Sequence, residues 1–140
     1  MAQRLDVPAK PIPQPDDASR PFFEGAQRGE LMIQRCTACG AYLAPGSRAC
    51  TECLSEALEW APASGQATLF TFAIMHQRYH PGFADDLPYN IAVVELAEGP
   101  RLNTTIVGVA NAELRVGMPL AVTFEEVGDG VALPKFKPME

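Results

Sequence analysis

Positive charge is in short supply in this chain. Its 11 Lys and Arg stand against 17 Asp and Glu, giving a formal net charge of −6. No run of basic residues offsets that balance, which argues against a nucleic-acid binder, because phosphate contacts need a face rich in Lys and Arg. No apolar stretch approaches the roughly 20 residues that span a bilayer. The opening MAQRLDVPAKPIPQPDD lacks the apolar core of a signal peptide. A cytoplasmic location is therefore expected, where thiols stay reduced and clustered cysteines favour a metal over disulfides. Histidine is limited to His76 and His80, and no cysteine is left over to form a Cys-His pair. No Ser-His-Asp set can be proposed either. There is no phosphate-cradling glycine loop, and Gly128-Asp129-Gly130 reads only as a hairpin turn. Catalysis by this chain alone is not expected.

What is present is more specific. All 4 cysteines fall in one run, Cys36, Cys39, Cys50 and Cys53, spaced Cys-x2-Cys-x10-Cys-x2-Cys. Two tight pairs across a short loop are the spacing of a zinc ribbon, each pair placing two thiolates on one side of a tetrahedral ion. Such a site has no open position for chemistry, so the expected cofactor is a structural zinc. The same four sulfurs accept iron in rubredoxin-like centres, and nothing in the sequence selects iron.

With 140 residues and 47% apolar composition, the chain can bury a sizeable core. Residues 1–18 carry Pro8, Pro11, Pro13 and Pro15. Closely spaced prolines deny a helix and favour an extended arm that lies against its own domain or a partner chain. Ser19 to Gly29 reads as a short helix, with Asp17 or Ser19 as cap, Pro21 in the first turn and Gly29 as stop, although Gly25 is a poor helix former. Tyr42 and Leu43 begin the return between the knuckles, and Leu58 with Trp60 leaves the ribbon as a strand. Five further strands are expected at Leu69 to Met75, Asn90 to Leu96, Arg101 to Val107, Leu120 to Glu125 and Val131 to Phe136. Asn90 to Leu96 reads as apolar on both faces. Asn111 can cap a helical turn through Leu114. Five strands with a short helical turn between the third and fourth match an OB-type barrel. The fold expected is mainly β: an arm over 1–18, a helix plus rubredoxin-like zinc ribbon over 19–62, and a five-stranded OB-fold barrel over 63–140. Phe70, Phe72 and Phe124 are read as core rather than as stacking platforms for single strands.

The connection from His76 to Pro88 is long for a barrel, and long loops are often functional. Its Arg78, Tyr79 and Phe83 are of types favoured at interfaces. His76 and His80 lie four apart, but a strand precedes them and Pro81-Gly82 follows, so a shared helical face for a second metal is not expected. Asp85 and Asp86 read as solvated turn residues.

In order, the chain carries Pro21-Phe22-Phe23-Glu24-Gly25, Gly29-Glu30-Leu31, Gln34-Arg35-Cys36-x-x-Cys39-Gly40, Cys50-x-x-Cys53, Trp60, Ser64-Gly65, Val116-Gly117-Met118-Pro119 and Leu133-Pro134-x-Phe136. That combination, across residues 19–138, resembles the small bacterial and archaeal proteins that fuse a rubredoxin-like zinc ribbon to an OB-fold, the acyl-CoA-associated OB-fold proteins. Thr51 stands where many relatives carry proline. The resemblance implies a non-catalytic accessory subunit beside a thiolase-superfamily enzyme: a thiolase, a hydroxymethylglutaryl-CoA synthase or a steroid side-chain aldolase. Hotdog-fold enoyl-CoA hydratases are the other partners it implies. In such assemblies, often two plus two, the OB-fold covers the partner's site or helps hold the CoA thioester. On that basis acyl-CoA is a shared substrate, and His76, Arg78, Tyr79 and His80 are the residues expected to face it or the partner. A nucleic-acid-binding OB module and a rubredoxin-type electron carrier are the rivals from other classes.

Overall fold

Helix α1 (Arg20–Gln27) follows a proline-rich approach and starts on a reciprocal clasp. The Asp16 carboxylate accepts from the Ser19 amide at 2.9 Å and the Ser19 hydroxyl at 2.8 Å, while that hydroxyl accepts from the Asp16 amide at 3.1 Å. The Ser19 side-chain bond, then the Ser19 amide, holds the Asp16 carboxyl below the usual carboxylate range. Neither Asp17 nor Ser19 caps α1 with its own side chain as the sequence suggested; the Asp16 carboxylate closes the turn before the helix, and its backbone carbonyl accepts from the Arg20 amide at 2.8 Å. Gly29 stops the helix with a φ of 82°. Its amide bonds Ala26 and the Glu30 amide bonds Gly25, the paired closure of a Schellman motif.

The computed structural model describes residues 10–128 and 130–139. Pro8 of the expected arm and Asp129 of the expected hairpin turn lie outside the described residues. After α1, three strands form the ribbon: β1 (Met32–Cys36), β2 (Tyr42–Leu43) and β3 (Leu58–Pro62), antiparallel in the order β2-β1-β3. The second sheet contains β4 (Gln66–Met75), β5 (Tyr89–Leu96), β6 (Arg101–Thr104), β7 (Pro119–Gly128) and β8 (Val131–Pro138), in the order β6-β5-β4-β7-β8. It curls into the half-barrel of an OB-fold. The seam between its outer strands is crossed beyond β6 by a single parallel bridge, Ile106 to Phe136. A 3-10 turn over Asn111–Glu113 lies between β6 and β7, where a helical turn was expected.

The ribbon joins the half-barrel core through one strand, while Cys36, Leu43 and Cys50 form a small cluster of their own. Leu31 and Ile33 lie in the same buried cluster as Leu69, Val94, Leu120 and Phe136. Burying side chains of this size contributes about 1.5–3 kcal/mol each, so β1 seals the barrel as well as carrying Cys36. Strand β5 differs from its expected two-sided burial. Asn90, Ala92, Val94 and Leu96 face the core, while Ile91 is 41% exposed. Phe72 and Phe124 pack on the core as expected. Phe70 does not: it is 42% exposed at a register shift between Leu69 and Thr71, with the Arg101 guanidinium 3.7 Å from its ring centroid.

Gly25 is explained by packing. A Cβ there would lie 2.3 Å from Met32 Cγ and 2.9 Å from the Glu30 carbonyl oxygen. Alanine favours a helix over glycine by about 0.8–1 kcal/mol, yet the carbonyl belongs to the turn that ends α1 and cannot yield freely. Gly25→Ala is therefore expected to lower stability by about 1–3 kcal/mol, the usual cost of overpacking, as read from urea denaturation midpoints. A rise in stability would show that α1 can move off β1.

Candidate metal centre and barrel loop

Each knuckle begins at the end of a strand or loop and turns through the same four-residue step. In the first, the Gly40 amide bonds the Cys36 carbonyl at 2.8 Å; in the second, the Leu54 amide bonds the Cys50 carbonyl at 2.9 Å. Both turning residues have positive φ, 81° at Gly40 and 67° at Leu54. Glycine takes that conformation freely. Leu54 takes it at a cost of about 1–2 kcal/mol. The loop between the knuckles is pinned by Gln34, buried in β1. Its side-chain amide donates to the Ser47 carbonyl at 3.1 Å, and its oxygen accepts from the Ser47 amide at 2.7 Å.

These turns gather all four sulfurs within 4.8 Å of one another. Cys36 lies 3.6 Å from Cys53, and Cys39 lies 3.6 Å from Cys50. A tetrahedral zinc with sulfurs at about 2.3 Å requires sulfur–sulfur edges of about 3.8 Å, so the donor set fits the ion. The electrostatics agree. The Cys39 amide, supported by the Ala38 amide, lowers the Cys36 thiol to about 6 in spite of burial. The Ala41 amide pulls Cys39 down, but the Cys50 sulfur and burial push it up to about 12. Cys53 is also raised: the Ser55 amide pulls it down, and the Cys36 sulfur with burial outweighs that pull. The Cys36 thiolate is favoured, and Cys39 and Cys53 resist joining it. A cation at the centre relieves that conflict.

The structure separates the four expected loop residues. His76, Arg78 and Tyr79 are exposed, Tyr79 at 72%. His80 turns inward as the cap of a 3-10 turn, Pro81–Asp86. Its Nδ1 accepts from the Gly82 amide at 2.9 Å and its ring meets Phe83 edge-on at 6.0 Å. His80 thus shapes the loop, and the loop presents Arg78 and Tyr79. Asp85 is exposed as expected, whereas Asp86 pairs with Lys10 of the arm. Where ribbon, α1 and half-barrel meet, Phe22, Pro45, Trp60, Leu102 and Pro134 line an apolar recess of about 320 Å³.

Sequence reading missed Asn90. It is 3% exposed, and its side chain ties β5 to the bridging segment: its oxygen accepts from the Ile106 amide at 2.8 Å, and its nitrogen donates to the Ile106 carbonyl at 2.9 Å and to Asn111 Oδ1 at 3.1 Å. An amide side chain in phase with Ala92, Val94 and Leu96 was the signal available. No helix among the described residues is long and apolar enough to cross a membrane.

Four clustered cysteines on a ribbon whose first strand completes the core of a curled sheet define a zinc-ribbon and OB-fold protein. Two family models match in succession: the rubredoxin-like zinc ribbon domain of ChsH2 over residues 23–59 and the C-terminal OB-fold domain of ChsH2 over residues 60–125. The chain is 32% identical over 117 residues to a DUF35 domain-containing scaffold protein of Methanocaldococcus jannaschii, covering 79% of this chain and 82% of that one. A solved structure of the Ltp2-ChsH2(DUF35) aldolase aligns with a TM-score of 0.79 at 34% identity, covering 90% of this chain and 98% of that one. The chain belongs to this ChsH2/DUF35 family. It is also 36% identical over 117 residues to a probable enoyl-CoA hydratase alpha subunit of Thermomonospora curvata, covering 84% of this chain but spanning 36% of that relative's length.

Proposed function

We propose that this chain is a non-catalytic accessory subunit of a thiolase-like enzyme that makes or breaks carbon–carbon bonds in acyl-CoA substrates. The carrying observation is the likeness to the Ltp2-ChsH2(DUF35) aldolase over nearly all of that chain. A ribbon without an open coordination position and a half-barrel without a nucleophile–base pair support an accessory role. The loop supplies the contact: Arg78 and Tyr79 stand out from the barrel, where they complete or cover the partner's acyl-CoA site. Cys36, Cys39, Cys50 and Cys53 hold one structural zinc, which stiffens the ribbon as a docking module. A metal-binding rather than disulfide role for the four cysteines supports a cytoplasmic location. The acidic surface gives no footing for nucleic acid.

Co-purification from the native host tests the assembly: a thiolase-fold partner is expected, and a lone monomer would overturn the proposal. The hydratase alpha subunit relative favours a second reading, an accessory role beside a hotdog-fold acyl-CoA hydratase; recovery of that partner instead would select it. Metal analysis and a visible spectrum separate colourless zinc from a coloured iron electron carrier. The loop has its own test. Arg78→Ala with Tyr79→Ala should raise the partner dissociation constant about 30-fold or more, because interface Arg and Tyr anchors cost about 2 kcal/mol or more when truncated. Wild-type affinity together with wild-type turnover would remove the loop from the site.

A further inference from the structure

Lys10 and Ile12 of the arm lie on a surface of their own chain, and that surface includes the loop. Lys10 Nζ lies 2.5 Å from the Asp86 carboxylate and 5.3 Å from the centroid of the Phe83 ring. Two residues on, Ile12 lies against the opposite bank. A Cβ placed on Gly128, at the end of β7, would come within 2.9 Å of its Cδ1. Bare backbone at Gly128 therefore makes the seat for Ile12. Between these two contacts the arm bridges a recess of about 500 Å³, bounded by Phe83 and Tyr89 on the loop side and by Val127 and Leu133 on the hairpin side.

Apart from Lys10, the described contacts of the loop are the Phe83 ring, 5.9 Å from that of Tyr89 on β5, and a few hydrogen bonds. The Phe83 amide bonds the His80 carbonyl and the Leu87 amide bonds the Ala84 carbonyl, both within the loop. Near its end the Pro88 carbonyl accepts from Asn111. Among the described residues, the ion pair that the loop side chains form with another element is the one to Lys10.

We propose that residues 10–15 of the proline-rich arm form a releasable strap that holds the 3-10 turn down on the half-barrel, with Lys10 as its latch. The physics suits a strap that opens. Lys10 and Asp86 side chains remain 49% and 41% exposed, so their attraction is weak and screened by salt. Prolines restrict the arm before it docks, which reduces the entropy lost when it lies down. Release leaves Arg78 and Tyr79 on a loop tethered at its two ends. The strap stands whatever the loop itself touches.

Hydrogen exchange on the zinc-loaded full chain tests this. The Phe83 and Leu87 amides report on the turn; the Cys50 amide, bonded to the Ser55 carbonyl in the ribbon, is the internal control. Lys10→Gln and Asp86→Asn should each speed exchange at Phe83 and Leu87 by about fivefold, as loss of a weak exposed pair predicts. The double variant should do no more than the larger single, since both remove one interaction. Wild type in about 1 M salt should approach the variants. Unchanged exchange in both singles, or effects that add in the double, would overturn the latch. Faster exchange at Cys50 as well would show general loosening and equally count against it.

Discussion

Cys36→Ser is expected to abolish the folded ribbon and, with it, most of the stability of the half-barrel. Zinc held by peptide ligands of this type contributes about 10–16 kcal/mol of apparent binding energy at neutral pH. That is as large as the whole stability of an ordinary domain, about 5–15 kcal/mol. Cys36 is the most consequential of the four to remove. It is fully buried, and its own amide bonds Ala41 at 2.8 Å inside the turn that positions Cys39. It also ends the strand that brings Ile33 into the barrel core. The damage should therefore pass from ribbon to barrel along β1, through Leu31 and Ile33. Zinc content should fall from one per chain to none, and Trp60, the chain's sole tryptophan, should report the unfolding by a red-shifted emission. A strong chelator should reproduce both changes in the unaltered protein, more readily in mild acid, where protons compete for the thiolates. A metal-free chain that retains native Trp60 emission and cooperative unfolding would show that the cysteines are not a structural clasp.

Asn90→Ala should be nearly as damaging to the barrel while leaving the metal in place. The side chain satisfies both the amide and the carbonyl of Ile106, at 2.8 Å and 2.9 Å, in a site with 3% exposure. Each buried group left without a partner costs about 1–3 kcal/mol. The expected loss is about 2–6 kcal/mol, because both the amide and the carbonyl of Ile106 would lose the side chain that satisfies them. Guanidinium denaturation measures it, and zinc stoichiometry should remain one. Asn90→Asp separates hydrogen bonding from shape: it keeps the acceptor for the Ile106 amide but loses the donor to the carbonyl. It should fall between wild type and Asn90→Ala near neutral pH only if the buried charge is tolerated. A loss under 1 kcal/mol for Asn90→Ala would show that the Ile106–Phe136 bridge closes the seam unaided.

The parts legible in the sequence were those fixed by local chemistry. Cysteine spacing dictates the knuckles because both members of each pair lie within one turn. Strands β4 to β8 were legible because their apolar residues are close in the chain. What escaped depends on residues far apart. Asn90 finds its partners 16 and 21 positions away, so its role has no local trace. Phe70 was read as core because it sits on an apolar strand of an acidic protein, but Ala67 and Leu69 take the core side, so alternation turns Phe70 outward beside Arg101. Gly25 looked like a flaw in a helix until Met32 was seen to occupy the space its missing side chain vacates. The loop was legible as a long connection. That His80 would face inward, and Tyr79 outward, depended on the Gly82 amide and the Phe83 ring.

The two knuckles also divide their sulfurs unequally. The leading cysteine of each, Cys36 and Cys50, is buried, and the trailing one, Cys39 and Cys53, is exposed. An ion held by all four therefore has an inner and an outer hemisphere, and traffic is confined to the outer one. A chelator or a metal-delivering protein meets Cys39 and Cys53 first and must detach them, one from each turn, before the inner pair can let go. Exchange of such an ion should be gated by those two outer thiolates, and the permanence of the fold should rest on the inner two.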